Sequence, residues 1–455
     1  GQGSADQVLT SDGTDISWAD VSAGPTFKTF GTSSIMVGDD ATGTIDAANY
    51  NTGLGVDIFA ALTTGDTNTA VGYSALAANT TANSNTAVGS LSLYTNSTGT
   101  ANTAVGNSSL RLNTTASYNT AFGSGALYTN STGAQNTAVG QGALNANTTA
   151  SDNTAVGNNA LAGNTTGHSN TAVGTNAGIA ITTGDYHVAI GRTALDACTT
   201  ADNNVAVGWT AMGATTTGPG NVAVGGDSMA ANTTGTLNTA VGKASLDANT
   251  SGERNTAIGL DAMGANTTGG YNTAVGERAL DSNTTGSSNV AIGSEALEAA
   301  TTRTQLVGVG FQAGKLTEGT YAAHSVFVGY QAGAAVTNAG KLICIGSGAA
   351  DTETTGNDSI YIGYVSNGGA SASNSQNTAL GNETMAAASA GYGNTAIGHS
   401  ALNDHTSGVN NCCVGREAGD KITSGGNNVM IGYDAGSDGL TTVTTGSNNV
   451  VIGNV

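Results

Sequence analysis

The chain repeats one pattern of small, polar and β-branched residues with a period of 17. A unit reads Asn-Thr-Ala-Val-Gly-x-x-Ala-Leu-x-x-Asn-Thr-Thr-Gly-x-x, numbered here as positions one to seventeen. The position-five glycine recurs every 17 residues from Gly38 to Gly310, then at Gly329, Gly346, Gly363, Gly381, Gly398, Gly415, Gly432 and Gly453, giving 25 units. Position four is apolar in every unit, from Val37 and Leu54 through Phe122 to Ile452. Position two is mostly Thr or Val, and position three is Ala from Ala70 to Ala291. β-Branched residues at alternate positions predict a short strand over positions two to four. The glycine ends it, where positive φ or close backbone approach is needed. The second half of the unit predicts a second short strand and a turn, with Asn and Gly at the corners. Recurrent Gly and β-branched residues oppose a sustained helix. One unit cannot bury its own apolar stripe, so units must stack. The predicted fold class is all-β, a parallel β-solenoid or β-roll of about 25 coils rising ~4.8 Å each.

Strand alternation puts positions two and four on one face and position three on the other. Position four is never polar, so it is assigned to the coil interior together with position nine, as in Val71 and Leu76. The alanine column is then assigned to an axis shared with other copies, where only a small side chain admits a neighbouring backbone. A monomer packed with small residues is the alternative. On the first assignment, Ala172→Leu would push copies apart and Val173→Ala would leave a cavity inside a coil. Position three changes at Gly308, Phe327, Cys344, Tyr361, Cys413, Met430 and Val451, which predicts widening or repacking near 308–361.

Four stretches are distinguished. Residues 1–33 precede the repeat and contain a predicted hairpin, Val8 to Trp18, with an Asp-Gly turn and then Pro25 in a linker. They are a candidate attachment segment. Residues 34–310 form the regular solenoid, 311–376 diverge from it with expanded spacing, and 377–455 return to the pattern.

Lys and Arg total 11 against 31 Asp and Glu, a formal net charge of −20. Nucleic acid and anionic membrane surfaces repel such a chain. No apolar run approaches 18 residues, so no membrane insertion is expected. The first residue is Gly, which suggests a processed chain or a segment of a longer one. Cys198, Cys344, Cys412 and Cys413 lack metal-ligand spacing and read as small buried fillers. His168, His187, His324, His399 and His405 have no recurring partner, and no carboxylate pair stands out. No enzymatic activity, metal or other cofactor is expected. Asn-Thr-Thr at Asn79, Asn147, Asn164, Asn232, Asn266 and Asn283 matches a glycosylation sequon, but an asparagine ladder accounts for it more simply. Regular threonine columns raise an ice-binding face as a remote alternative, although the Thr-Thr pair sits at a turn. Tyr73, Trp209, Phe311, Tyr330, Tyr364 and Tyr433 all occupy position six and are candidate platforms for sugars or partner surfaces. Packing against the next coil is the plainer reading of them.

Units such as Asn136 to Gly140 and Asn289 to Gly293 resemble the head repeats of trimeric autotransporter adhesins. The variant with Ala-Leu and Asn-Thr-Thr-Gly resembles repeats of bacteriophage tail fibres, and Gln7 to Val21 resembles a segment of marine and cyanobacterial phage fibres. The repeat resemblance covers about residues 34–453. It implies a left-handed parallel β-roll, a homotrimer, and attachment to a host surface glycan or protein. The 1–33 segment would join other fibre or baseplate proteins. The implied location is the virion, or the cell exterior for a bacterial adhesin or surface filament of the same fold. A polysaccharide depolymerase is a more distant alternative. Neither an autotransporter anchor nor a C-terminal self-cleaving chaperone is visible, which suggests removal of that chaperone or truncation.

Overall fold

The computed structural model describes residues 7–11, 16–20, 26–28, 35–38, 47–318, 323–338, 340–369, 374–436 and 444–453. It is an all-β parallel solenoid of about 23–25 turns with a 17-residue repeat. The chain divides into two compact units, Gly1–Thr183 and Gly184–Val455.

In the first unit, strands Gln7–Ser11 and Ile16–Asp20 pair antiparallel with Leu9 opposite Trp18, as the hairpin reading expects. The Asp-Gly turn and Pro25 lie outside the described residues. Strand Thr26–Lys28 pairs antiparallel with Ile35–Gly38 and so occupies the free edge of the first coil. From there every strand pairs in parallel with its successor, residue i against residue i+17, up to Thr171–Val173. The second unit continues the parallel pairing from Val188–Ile190 to Val450–Ile452, mostly at i+17 but with longer steps at Val307 to Val326, Ile360 to Thr378 and Val429 to Val450. Each unit of sequence is therefore one coil.

Among the described residues of the repeats, the first strand is the one that recurs; the one addition is a short parallel pair, Asn374–Ser375 with Gly391–Tyr392. Positions six to eleven run through tight turns instead of the expected second strand. Their backbone groups still bond from coil to coil. Leu76 N–H donates to Ser92 O at 3.1 Å, and Leu91 N–H to Tyr73 O at 2.8 Å. The turns arise because positions seven, nine and seventeen adopt left-handed backbone, as at Ser74 (φ 51°), Leu76 (φ 51°) and Thr67 (φ 58°). Such conformations cost on the order of 1 kcal/mol each. The stacked hydrogen bonds hold them in place.

Position five needs glycine for two reasons. Gly157 has φ 138°, and a Cβ there would stand 2.5 Å from the Gly174 carbonyl oxygen of the next coil. The same approach recurs along the column, as between Gly225 and Gly242 at 2.4 Å.

The interior corrects the face assignment. Ala70, Ala87, Ala104 and the other position-three alanines are fully buried inside their own coil. Positions eight and nine join them there, for example Ala75 and Leu76. Position four points outward: Val173 is 37% exposed and Phe122 56%. Positions two and four do share a face, but it is the outer one. A three-residue strand has one inward position, and the coil is so narrow that leucine from position nine fills it from the opposite wall. Alanine is what remains possible at position three.

Where position three is large, position nine shrinks. Phe327 is fully buried, and its ring occupies the space beside Gly333 and Gly314. A Cβ on Gly333 would lie within van der Waals overlap of the Phe327 ring. Met430 fills the space at Gly436 in the same way. The expected repacking near 308–361 is thus an exchange of volume across the interior.

Two buried asparagine ladders line the remaining interior. Asn68 at position one donates from Nδ2 to Asn51 Oδ1 (3.1 Å) and to Ala82 O (2.9 Å). Asn79 at position twelve donates to the same Ala82 carbonyl at 3.2 Å. The sequon asparagines Asn79, Asn147, Asn164, Asn232, Asn266 and Asn283 are all fully buried, and Asn164 Nδ2 donates to Asn147 Oδ1 at 3.0 Å. Their ladder role is confirmed. Two histidines stand in for asparagine. His187, at position one, places Nε2 2.6 Å from Ala201 O and Nδ1 3.2 Å from Asn204 N. That pattern selects the neutral Nε2–H tautomer, which reproduces an amide's donor and acceptor. His405, at position twelve, reaches Gly408 O with Nε2 at 2.8 Å. Burial lowers the pKa of both.

Cys198, Cys344 and Cys413 are buried and free of disulfides; Cys412, at outward position two, is half-buried. Burial raises the Cys198 thiol to about 11 and Cys413 to about 12, and Cys344 is pushed up as well. Thiolate is the reactive form. In native protein at pH 8, a disulfide-exchange reagent should therefore react quickly with at most Cys412 and with all four thiols after denaturation. Rapid native reaction of two or more would contradict this interior.

Candidate binding surface

Two kinds of outward feature rise above a surface of Thr, Ser, Asn and Asp. The first is the strand face. Column four includes Leu54, Phe122, Val156 and Val173 in the first unit and Ile190, Val224, Val241, Ile258, Ile292, Ile345, Leu380, Ile431 and Ile452 in the second, all at least 36% exposed, and its other described members are half-buried. Column two beside it is Thr, Val or Ile with Cys412 as the exception. No charged residue occurs in either column from Thr52 to Ile452. Position four shows no use for this apolar character within its own coil.

The second feature is position six, at the corner where the strand ends. Tyr73, Trp209, Phe311, Tyr330, Tyr364 and Tyr433 are all exposed there. The structure separates them into different settings. Tyr73 and Trp209 each stand without an aromatic neighbour in the column, between Val56 and Ser90 and between Arg192 and Gly226. Tyr433 lies under the Arg416 guanidinium, 5.5 Å from its ring centroid. Phe311 and Tyr330 stack with centroids 5.4 Å apart and planes 19° apart. Packing against the next coil therefore does describe that pair. Tyr364 follows two coils after Tyr330, with Ser347 between them in the column.

A further aromatic set escaped the sequence reading. Tyr118, Tyr186 and Tyr271 occupy position seventeen, on the other edge of the strand, and are exposed. Arg254 covers the Tyr271 ring at 5.4 Å. The signal for this column lies in the 17-residue register, which places Tyr118, Tyr186 and Tyr271 at one position.

Several basic groups pair with carboxylates. Lys315 Nζ reaches Glu295 at 2.5 Å and Glu298 at 3.2 Å, and Arg278 pairs with Glu298 and Asp281. Hydrogen bonding from Lys315 lowers the Glu295 carboxyl, whereas burial raises Asp281. Among the described residues, no three or more His, Cys, Asp and Glu side chains come together as a metal site. A shallow depression lined by His324, Lys341 and Asp358 carries one ion pair, Lys341 with Asp358 at 3.3 Å. At the turn, Thr148 Oγ1 donates to Thr165 O of the next coil at 3.0 Å, so this threonine column ties coils together.

No family model, curated protein or solved structure matches the chain.

Proposed function

We propose that this chain is a structural fibre protein whose copies associate side by side, three to a shaft, and whose assembled surface attaches to a host or cell surface. The observation that carries this is the outward, uncharged, β-branched strand face. A surface maintained without a single charge over so many coils fits contact with another apolar surface. Three strand residues by one coil step make roughly 50 Å². The sixteen coil strands of the second unit, Val188–Ile190 to Val450–Ile452, would then offer roughly 800 Å², the per-partner area of a standard stable interface. An identical face on each copy suits a symmetric assembly. This moves the interface from the alanine column to columns two and four.

The bacteriophage tail fibre is the favoured setting, because the Gln7 to Val21 resemblance accompanies the repeat resemblance. In that setting the N-terminal hairpin joins other fibre or baseplate components. A bacterial adhesin or surface filament is the second reading, supported by units such as Asn289 to Gly293.

Sedimentation equilibrium of the folded chain should give about three times 44.2 kDa. Val224→Lys with Val241→Lys and Ile258→Lys should yield monomers with an unchanged circular dichroism spectrum, because these side chains leave the interior untouched. A stable wild-type monomer at tens of micromolar would defeat the assembly proposal.

A further inference from the structure

Three features compete for a further role. The ion-paired cluster around Glu298 satisfies itself. The buried Glu353 accepts from the Gly356 N–H and from the Asn367 amide and is thereby accounted for within the core. The third is a gap in the aromatic column. Tyr330 and Tyr364 are 55% and 54% exposed, and the coil between them carries the small exposed Ser347. The two coil steps are held in register by Gly348 N–H to Tyr330 O at 2.9 Å and Val365 N–H to Ser347 O at 3.0 Å. Two steps separate the ring positions by roughly 9.6 Å.

We infer that Tyr330, Ser347 and Tyr364 form a slot that binds one uncharged pyranose ring of a surface saccharide. The inference rests on the attachment role proposed above and gives it a ligand class and a place. Aromatic partners settle with centroids about 4.5–7 Å apart. A single ring at the middle of the slot would lie ~4.8 Å from each wall, inside that range. Phe311 backs the Tyr330 ring from the far side by stacking, so this wall is already ordered before a ligand arrives. Polar recognition is at hand as well. Next to Ser347, a Cβ at Gly348 would stand 3.5 Å from Asp351 Oδ2, which puts a carboxylate beside the residue adjoining the slot floor. It can accept hydrogen bonds from ring hydroxyls. That carboxylate and the net charge of −20 disfavour acidic sugars.

A cationic protein side chain is the competing occupant. On this chain, however, guanidinium groups cover tyrosines one coil step away, as Arg254 does Tyr271 and Arg416 does Tyr433. A planar guanidinium contacts one wall of a two-step slot, whereas a thicker, puckered pyranose contacts both.

Saturation-transfer NMR on the full chain, with D-glucose, D-galactose and N-acetyl-D-glucosamine as probes, tests this. Transfer to the ring C–H protons of at least one sugar is expected. Tyr330→Ala or Tyr364→Ala should weaken its affinity by about fivefold or more, while Tyr73→Ala leaves it unchanged. Ser347→Tyr fills the slot and continues the Phe311–Tyr330 stack. It should abolish transfer without lowering the unfolding midpoint, which separates occlusion from misfolding. Absence of transfer from all three sugars, or transfer that survives Ser347→Tyr, overturns the inference. So does transfer to N-acetylargininamide alone. Because the assembly test reads mass, a trimer without sugar binding removes this inference only, and a sugar-binding monomer removes the shaft proposal only.

Discussion

Gly157→Ala should lower the stability of the folded chain by about 3–5 kcal/mol, combining backbone strain with overpacking. The residue sits at φ 138°, which L side chains avoid. Its new methyl group would also press on the Gly174 carbonyl oxygen at 2.5 Å, and backbone bonded from coil to coil cannot move away cheaply. Gly226→Ala is the matched control. A Cβ there meets nothing nearer than the Trp209 carbonyl oxygen at 4.0 Å, and its φ lies outside the left-handed range. That change should be neutral or stabilise by up to about 1 kcal/mol, through the unfolded chain. Urea denaturation followed by circular dichroism measures both. Equal effects of the two substitutions would mean that position five is not the point of coil-to-coil approach.

The second large effect belongs to Ala172→Leu. Ala172 is fully buried inside its coil, whereas Val173 is 37% exposed. Position nine of this coil is Gly178, but the space beside it is taken by the Leu161 and Ile181 side chains, whose methyl groups would stand 3.0 and 2.9 Å from a Cβ there. Three extra carbons must displace them, and overpacking costs about 1–3 kcal/mol. The loss should appear in the single chain, as a lower urea midpoint independent of protein concentration. Val173→Ala should cost under about 1 kcal/mol in a monomer, because an outward side chain leaves no cavity. Its larger effect should be on assembly, and hence depend on concentration. If Ala172→Leu instead acts only on assembly, the alanine column faces other copies after all.

The position-six aromatics were legible from register alone, since an outward corner column repeats every 17 residues. The slot was not. It depends on Tyr330 being held by Phe311 at 5.4 Å and on Ser347 lying between two coils locked in ladder spacing. Those are relations between coils, and a linear pattern does not separate a ring that stacks from one that stands alone.

By itself the sequence determined the period, the stacking of one coil per unit, the need for glycine at position five, and the asparagine ladders. Each follows from identical residues meeting identical residues across a parallel ladder, as Thr137 meets Thr154. Tertiary structure decided which face of the strand is inside. Alternation says only that Ala172 opposes Thr171 and Val173; apolar character then favours the wrong side, because it cannot tell burial within a coil from burial between copies. The reciprocal sizes of Phe327 with Gly333 and Met430 with Gly436 held the answer, since only residues sharing one interior need to trade volume. Tertiary structure also decided the turns. Leu76, Ser74 and Thr67 adopt left-handed backbone that no local preference of theirs requests. They hold it because hydrogen bonds to the coils above and below outweigh the strain, and those bonds exist only once the coils have stacked.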